Sequence, residues 1–433
     1  MAEPERGVLL DGARAAQCDP DGLRRAFALL EEWVDGGVLP GAAALIARGG
    51  RVAGEAYLGT AHRGQRRVVD AETVWSLASV TKPFTATAVM LLAERGRLSL
   101  DEPLHRLLPE FRSGWGDPGD EAPDAQEGRG SGREAVTLRH VLAHCSGLPG
   151  FSPDNTELRR AHRPLEDFVR SFGGQPLLFP PGAAHYYSNP GILLAAETVG
   201  RAISPGGSML GRVQETPAVG LYHPFVEREI LAQLGMTSST LRPPPDWDGR
   251  IAWVERTGSE GQDWEAANSP YYRSLGIPWG GLFSHPRNLV RFVDLFLPEA
   301  GGRQRIGAQA GAGYRLVSPA TARTMTDVQF APPDAPPDLA PELRDSAART
   351  PPLVAVEWGV GWTVKGAKRP HFSGELTSPE TYGHLGATGP MVWADPRADV
   401  TCILLTNRTL VSGWTVERPR QAMFSNAVMA ALS

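Results

Sequence analysis

The sequence predicts an α/β protein of the α+β type: a central antiparallel sheet built from both termini and flanked by helices, with a mostly helical lobe inserted. Three observations lead there. Early in the chain, two apolar segments at 41–47 and 52–58 are separated by Arg48-Gly49-Gly50-Arg51, a hairpin signal. Late in the chain, 381–386, 389–395 and 400–406 read as short strands, with Asp395-Pro396-Arg397 as a turn. Between roughly 96 and 270 the pattern is helical patches broken by loops. This places a sheet domain in 1–95 and 271–433, a helical lobe in 96–270, and an active site at their junction.

The elements follow in order. Residues 20–36 carry Leu23, Phe27, Leu30 and Val34 at helical spacing, with Asp19 and Asp21 as capping candidates and glycines behind. Thr81–Arg95 carries Ala86, Val89, Met90 and Ala93, the pattern of a buried helix. Pro83 fits only in its first turn, so the helix is expected to begin at about Ser79. An apolar helix is expected over 191–203 and a closing helix over 417–432. The stretches 113–134, 203–222 and 331–352 lack the apolar periodicity to pack a core and read as loops or inserts. No internal repeat is visible.

Composition bounds the function. The chain has 433 residues, 42% apolar and 21% charged, which excludes a disordered protein. No apolar run approaches the ~18 residues of a membrane span. The net charge of −5, with arginines scattered, argues against nucleic acid as the main partner. Three cysteines, Cys18, Cys145 and Cys402, make neither a disulfide framework nor a metal-ligand pair. The acidic start Met-Ala-Glu-Pro-Glu-Arg does not read as a signal peptide, so a cytoplasmic location is expected. Lysine occurs only at 82, 365 and 368, among 43 basic residues. An ammonium can lose its proton in a desolvated site and a guanidinium cannot, so where lysine is used matters. Lys365 and Lys368 sit in a Gly- and Pro-flanked stretch that reads as a solvated loop; Lys82 sits in a buried helix start.

That lysine belongs to Ser79-Val80-Thr81-Lys82. Residues three apart share a helix face, so the hydroxyl and the amine point the same way. A serine hydroxyl needs a neighbouring base to become a nucleophile, and a lysine whose pKa is lowered by burial can be that base. A helix start at Ser79 also leaves its backbone N–H free for an anion. Tyr187-Ser188-Asn189 lies on a turn before the apolar helix. Its phenol, near a lysine ammonium, could exist partly as phenolate and shuttle a proton, and its amide could hold a substrate carbonyl. Asn is also an ordinary turn residue. His384-Leu385-Gly386-Ala387-Thr388-Gly389 enters the strand pair ending at Asn407, where a glycine lets another backbone come close and the next N–H could complete an oxyanion hole. His140 and His144 are four apart, but no glutamate follows His140 and no third ligand suggests itself, so no metal is expected. Cys145 reads as a small buried thiol. Gly-x-Ser-x-Gly, a phosphate loop and a dinucleotide glycine fingerprint are all missing.

Ser-x-x-Lys, then Tyr-x-Asn, then a strand motif ending in Gly resembles the serine β-lactamase and penicillin-binding-protein superfamily. The Tyr-x-Asn form resembles its class C branch, with esterases and D-aminopeptidases. Leu77–Pro83, Leu138–Leu148, Leu234-Gly235-Met236, Gly280–Ser284 and Gly383–Gly386 are similar to that family's signatures, in order. The resemblance implies the β-lactamase/transpeptidase-like fold and no cofactor. It implies Ser79 as acylated nucleophile, Lys82 as proton acceptor and Tyr187 as proton shuttle. It further implies an oxyanion hole from Ser79 and Ala387 N–H, and Asn189, His384 and Gly386 as substrate-binding positions. The family's lactamases and peptidases carry Lys-Thr-Gly where this chain has His384-Leu385-Gly386. The loss of that carboxylate-binding lysine favours a carboxylesterase or amidase on small neutral substrates. A β-lactamase, a D-Ala-D-Ala peptidase, an acyltransferase and a binding protein without turnover are the rival readings.

Overall fold

The computed structural model describes residues 5–113, 135–173, 176–204, 217–298, 315–330 and 357–432. Of the three expected inserts, 331–352 lies outside the described residues, as do all but residue 113 of 113–134 and most of 203–222. In chain order the strands are β1 (Gly7–Leu9), β2 (Gly41–Arg48), β3 (Arg51–His62), β4 (Arg67–Val68), β5 (Trp75–Ser76), β6 (Phe283–Ser284), β7 (Thr363–Val364), β8 (Tyr382–Leu385), β9 (Met391–Asp395) and β10 (Val400–Thr406). Eight of them form one antiparallel sheet in the order β1-β3-β2-β10-β9-β8-β7, with β4 added to β3; β5 and β6 pair separately.

The β2–β3 hairpin forms where the sequence places it. Gly49 and Gly50 both have positive φ, at 58° and 71°, as a tight two-residue hairpin turn requires. The centre of the sheet joins the two ends of the chain: β10 lies between β2 and β9, from Val400 opposite Arg48 to Thr406 opposite Ala42.

Both faces of this sheet are buried, which explains strands that are apolar at nearly every position. On one face Ala42, Ala44, Ile46, Cys402, Leu404, Met391 and Trp393 pack against the helix Pro20–Asp35, through Phe27 and Leu30, and the helix Arg420–Ala430, through Phe424 and Val428. The alternate residues Ala43, Leu45, Ile403, Leu405, Val392 and Ala394 face the helix Pro286–Val293, through Leu289 and Val290, and the helix Lys82–Glu94, through Phe84. The period-2 split of side chains between two cores follows from strand geometry. The second core continues into the helix Asn189–Ile203 and the helices Leu138–Leu142 and Leu165–Gly173. No helix among the described residues is long and apolar enough to cross a membrane.

Candidate active site

The Ser-x-x-Lys segment begins as a single 3-10 turn, Ala78–Thr81, and becomes α-helix at Lys82. Pro83 stands in the first turn of that helix, where its missing N–H costs nothing. The turn is strained at Ala78, which has φ of 43°, a region that costs a residue with a Cβ of order 1–2 kcal/mol. Its neighbour Leu77 is tied by backbone bonds to Leu282, and the Thr81 hydroxyl accepts from Leu282 N–H at 3.0 Å. Thus the Gly280–Ser284 segment braces the turn that carries Ser79.

Lys82 is fully buried. Its Nζ donates to Ser79 Oγ at 3.0 Å and to the Trp279 carbonyl at 2.9 Å. Desolvation holds its pKa well below the ordinary lysine range, so the free amine with its lone pair is favoured. Ser79 itself is half-buried. The phenol of Tyr187 is within hydrogen-bonding reach of the Ser79 side chain, and its ring centroid lies 4.6 Å from Lys82 Nζ. The three residues predicted to do chemistry therefore meet. One expectation is corrected: burial pushes the Tyr187 phenol up, away from phenolate, while it pushes the Lys82 ammonium toward the free amine.

Asn189 is the first residue of its helix, and Ser188 before it is the N-cap, accepting from Gly191 N–H at 3.1 Å. The Asn189 side-chain amide donates to Gly150 O at 3.1 Å, so part of its donor capacity is already engaged. On the opposite side stands the end of β8. A Cβ on Gly386 would lie 2.3 Å from the Leu77 carbonyl oxygen, so only glycine allows the strand end to approach the nucleophile turn this closely. Thr388 fastens the same segment by donating to Ser76 O at 2.8 Å. Ala387, between these two anchors, is exposed and is held next to the segment Ser76–Leu77 that leads into the turn of Ser79. Two backbone N–H donors together can stabilise an oxyanion.

His384 is buried, and its Nδ1 donates to Leu385 O at 2.7 Å. A carbonyl only accepts, so the proton sits on Nδ1, and the buried Nε2 has no hydrogen-bond partner among the described residues. Burial, with Lys82 nearby, pushes the imidazole down to about 3, so it carries no charge at neutral pH. Sequence reasoning missed the surrounding rings. Trp358 stacks edge-on to His384 at 5.8 Å and lies 5.8 Å from the Tyr187 ring. His144 lies 4.4 Å from Tyr187. His185, pushed down to about 3 by burial, lies 5.3 Å from Trp358. The His140/His144 spacing had been weighed only for metal. In the fold the two rings separate, His140 closing a capping box with Thr137 while His144 joins the site. Nothing local in sequence marks Trp358, which comes into place across the described chain from Phe330.

The other two lysines require a correction as well. Lys365 is fully buried rather than solvated, and its Nζ donates to Thr377 O at 2.5 Å and Thr377 Oγ1 at 2.9 Å. Lys368 is half-buried and binds Glu357 O, Thr363 Oγ1 and Val364 O.

A family model described as Beta-lactamase matches residues 27–422. The chain belongs to the beta-lactamase family. It thus has the serine-hydrolase fold of that family, as the strand order and the Ser79–Lys82 turn lead one to expect. Among its relatives, esterase EstB of Burkholderia gladioli is 35% identical over 179 residues, which is 38% of this chain and 40% of EstB. A penicillin-binding protein homologue from Caulobacter crescentus superposes with a TM-score of 0.68 at 21% identity, covering 96% of this chain and 99% of that one. A family VIII carboxylesterase superposes with a TM-score of 0.66 at 18% identity, covering 95% and 97%. The two structures fit almost equally well, so the shared fold does not choose between their chemistries.

Proposed function

We propose that the protein is a carboxylesterase acting on small neutral esters through an acyl-enzyme on Ser79. The observation that carries this reading is the uncharged state of His384, at the strand position where a carboxylate-binding member of the family needs a cation. The EstB likeness points the same way. The substrate sits between the end of β8 and the Tyr187–Asn189 turn, where the sheet meets residues 96–270.

The amine of Lys82 takes the hydroxyl proton of Ser79 as Oγ bonds to the ester carbonyl carbon. The oxygen of that carbonyl becomes an oxyanion, held by the N–H groups of Ser79 and Ala387. The C–O bond to the alcohol then breaks. Tyr187 gives its proton to the departing oxygen and regains one from the Lys82 ammonium, which restores the amine. In the second half a water loses its proton to the same pair and attacks the acyl carbon. Ser79 Oγ leaves and takes the proton back, releasing the acid.

The test is kcat/KM on a short-chain aryl ester for wild type and Ser79→Ala, with a β-lactam and a D-Ala-D-Ala peptide in parallel. Ester turnover at least ~10²-fold above the other two, lost in the variant, is the expected result. Equal turnover by both proteins removes Ser79 from the reaction. Faster lactam or peptide cleavage replaces esterase by those activities, and transfer to an added alcohol in preference to water makes the protein an acyltransferase.

A further inference from the structure

The phenol of Tyr187 has to face Ser79 within a few tenths of an ångström to hand a proton to the leaving group, yet it stands on a turn rather than inside a helix or strand. Pro149 O and Gly150 O hold the side chain of Ser188 and the backbone N–H of Asn189, and a single residue, His144, holds the backbone on both sides of Tyr187. Tyr186 N–H donates to the backbone carbonyl of His144 at 2.8 Å, and Ser188 N–H donates to His144 Nδ1 at 3.2 Å. The backbone N–H groups of the residues before and after Tyr187 are thus held by one residue, and the imidazole lies 4.4 Å from the phenol ring between them.

The imidazole is itself locked. His144 is fully buried and has φ of 56°, so its backbone turns out of the helix Leu138–Leu142 and points the carbonyl and the ring at the same neighbour. Gly182 N–H donates to Cys145 O and Leu178 N–H to Gly147 O, lacing residues 144–147 to the whole stretch that ends at Tyr187. A backbone N–H only donates, so Nδ1 is the unprotonated nitrogen and the ring's hydrogen is on Nε2. Burial keeps the ring in that neutral form. The groups around it are His185 at 6.0 Å, Trp358 at 4.9 Å, Tyr187, and the more distant amine of Lys82 and ring of His384. Protonation would put a hydrogen on Nδ1 and break the bond to Ser188.

We propose that His144 is a positioning residue for the esterase reaction: its carbonyl and Nδ1 clamp the N–H groups of Tyr186 and Ser188, the neighbours of Tyr187, and aim the phenol at the departing oxygen. The inference rests on the reading of Tyr187 as the group that protonates the leaving alcohol.

His144→Asn and His144→Leu separate the clamp from mere packing. Asn places Oδ1 where Nδ1 stood and tolerates positive φ, whereas Leu has the same branching and no acceptor. The readout is the leaving-group dependence of kcat, with Tyr187→Phe alongside and thermal unfolding for each variant. A 4-nitrophenyl ester hardly needs protonation of its leaving group, while an alkyl ester of the same acid does. In His144→Leu, kcat on the alkyl ester is expected to fall ~30–100-fold and on the nitrophenyl ester under ~5-fold, with His144→Asn close to wild type on both. Adding His144→Leu to Tyr187→Phe should cost nothing further. Uniform losses on both esters, an Asn variant as poor as Leu, or a further loss in the double variant overturn the proposal. If Tyr187→Phe itself shows no selective loss on the alkyl ester, the reading of Tyr187 falls, independently of the clamp.

Discussion

Replacing Gly386 by alanine tests whether the contact between β8 and the nucleophile turn sets the rate. The new Cβ would lie 2.3 Å from Leu77 O and 3.2 Å from Pro390 Cδ. Ordinary carbon contacts need more than 3 Å, so the two segments have to part by about 1 Å. The movement cannot be absorbed elsewhere at small cost. Gly386 N–H is bonded to Pro390 O, Gly389 N–H to Gly386 O, and Thr388 to Ser76, so Ala387 moves with Gly386. A misplacement of about 1 Å in an oxyanion donor is worth ~10²-fold in rate. Because the same donors serve acylation and deacylation, kcat and kcat/KM are both expected to fall by about that factor. The control is Gly12→Ala, whose Cβ would lie 2.0 Å from Val52 O at the start of β3. Both variants are expected to lose ~1–3 kcal/mol in denaturant unfolding, but only Gly386→Ala should lose rate per folded molecule. A Gly386→Ala enzyme within about threefold of wild-type kcat, with the same stability loss as the control, would refute the reasoning.

Lys82→Arg puts a permanent cation where burial favours a free amine; it is expected to lower kcat/KM by about 10³-fold and to lower Tm, because a guanidinium cannot act as base and is costly to bury, and full activity would exclude Lys82 as proton acceptor. Acid should destabilise the fold through its buried imidazoles. His223 and His285 are pushed down to about 4, and His185, His371 and His384 to about 3, in each case mainly by burial, and His144 is lowered in the same way. The unfolded chain protonates near 6.5, so stability is lost as pH falls from about 6.5 toward 3, with about five to six protons taken up on unfolding at pH 5 by these six imidazoles. A stability unchanged between pH 7 and pH 5 would contradict these assignments. Lys365→Met should leave turnover intact while costing ~1–3 kcal/mol, since Thr377 O and Thr377 Oγ1 lose their buried donor; the check is denaturant unfolding beside kcat.

Where the chemistry was local it could be read from sequence. Ser79 and Lys82 meet because three residues bring side chains to one face of a helical turn, and the strands that carry His384 and Gly386 announce themselves by apolar runs and a Pro-containing turn. What escaped was set by contacts between distant parts. Lys365 lies among glycines and prolines, yet the chain folds back at 373–377 and turns carbonyls onto its ammonium, closing a pocket that flanking composition cannot foretell. His144 has a role only because Tyr186 and Ser188 arrive beside it, and the strained φ of Ala78 becomes visible only in the folded backbone.

If Lys82 is the base of the proposed reaction, the same burial decides what the site accepts. Desolvation pushes its amine toward the neutral form, and the rings beside it, Tyr187, His144 and His384, bring no negative charge to hold an ammonium. A substrate carboxylate placed within a few ångströms would favour the ammonium, since an opposite charge at that range stabilises the charged form. On the proposed mechanism anionic substrates are therefore disfavoured twice, by their own desolvation and by protonating the group proposed to accept the serine proton. The consequence is measurable in the pH dependence of kcat, which reports the enzyme–substrate complex. Lys82 loses activity as pH falls and it takes up a proton. With a neutral ester the acid limb of kcat lies at the lowered lysine value; with the matching ester that carries an acyl-side carboxylate, the limb should move to higher pH. Superimposable profiles would mean that the carboxylate is held away from Lys82, with the preference for neutral substrates then resting on desolvation alone.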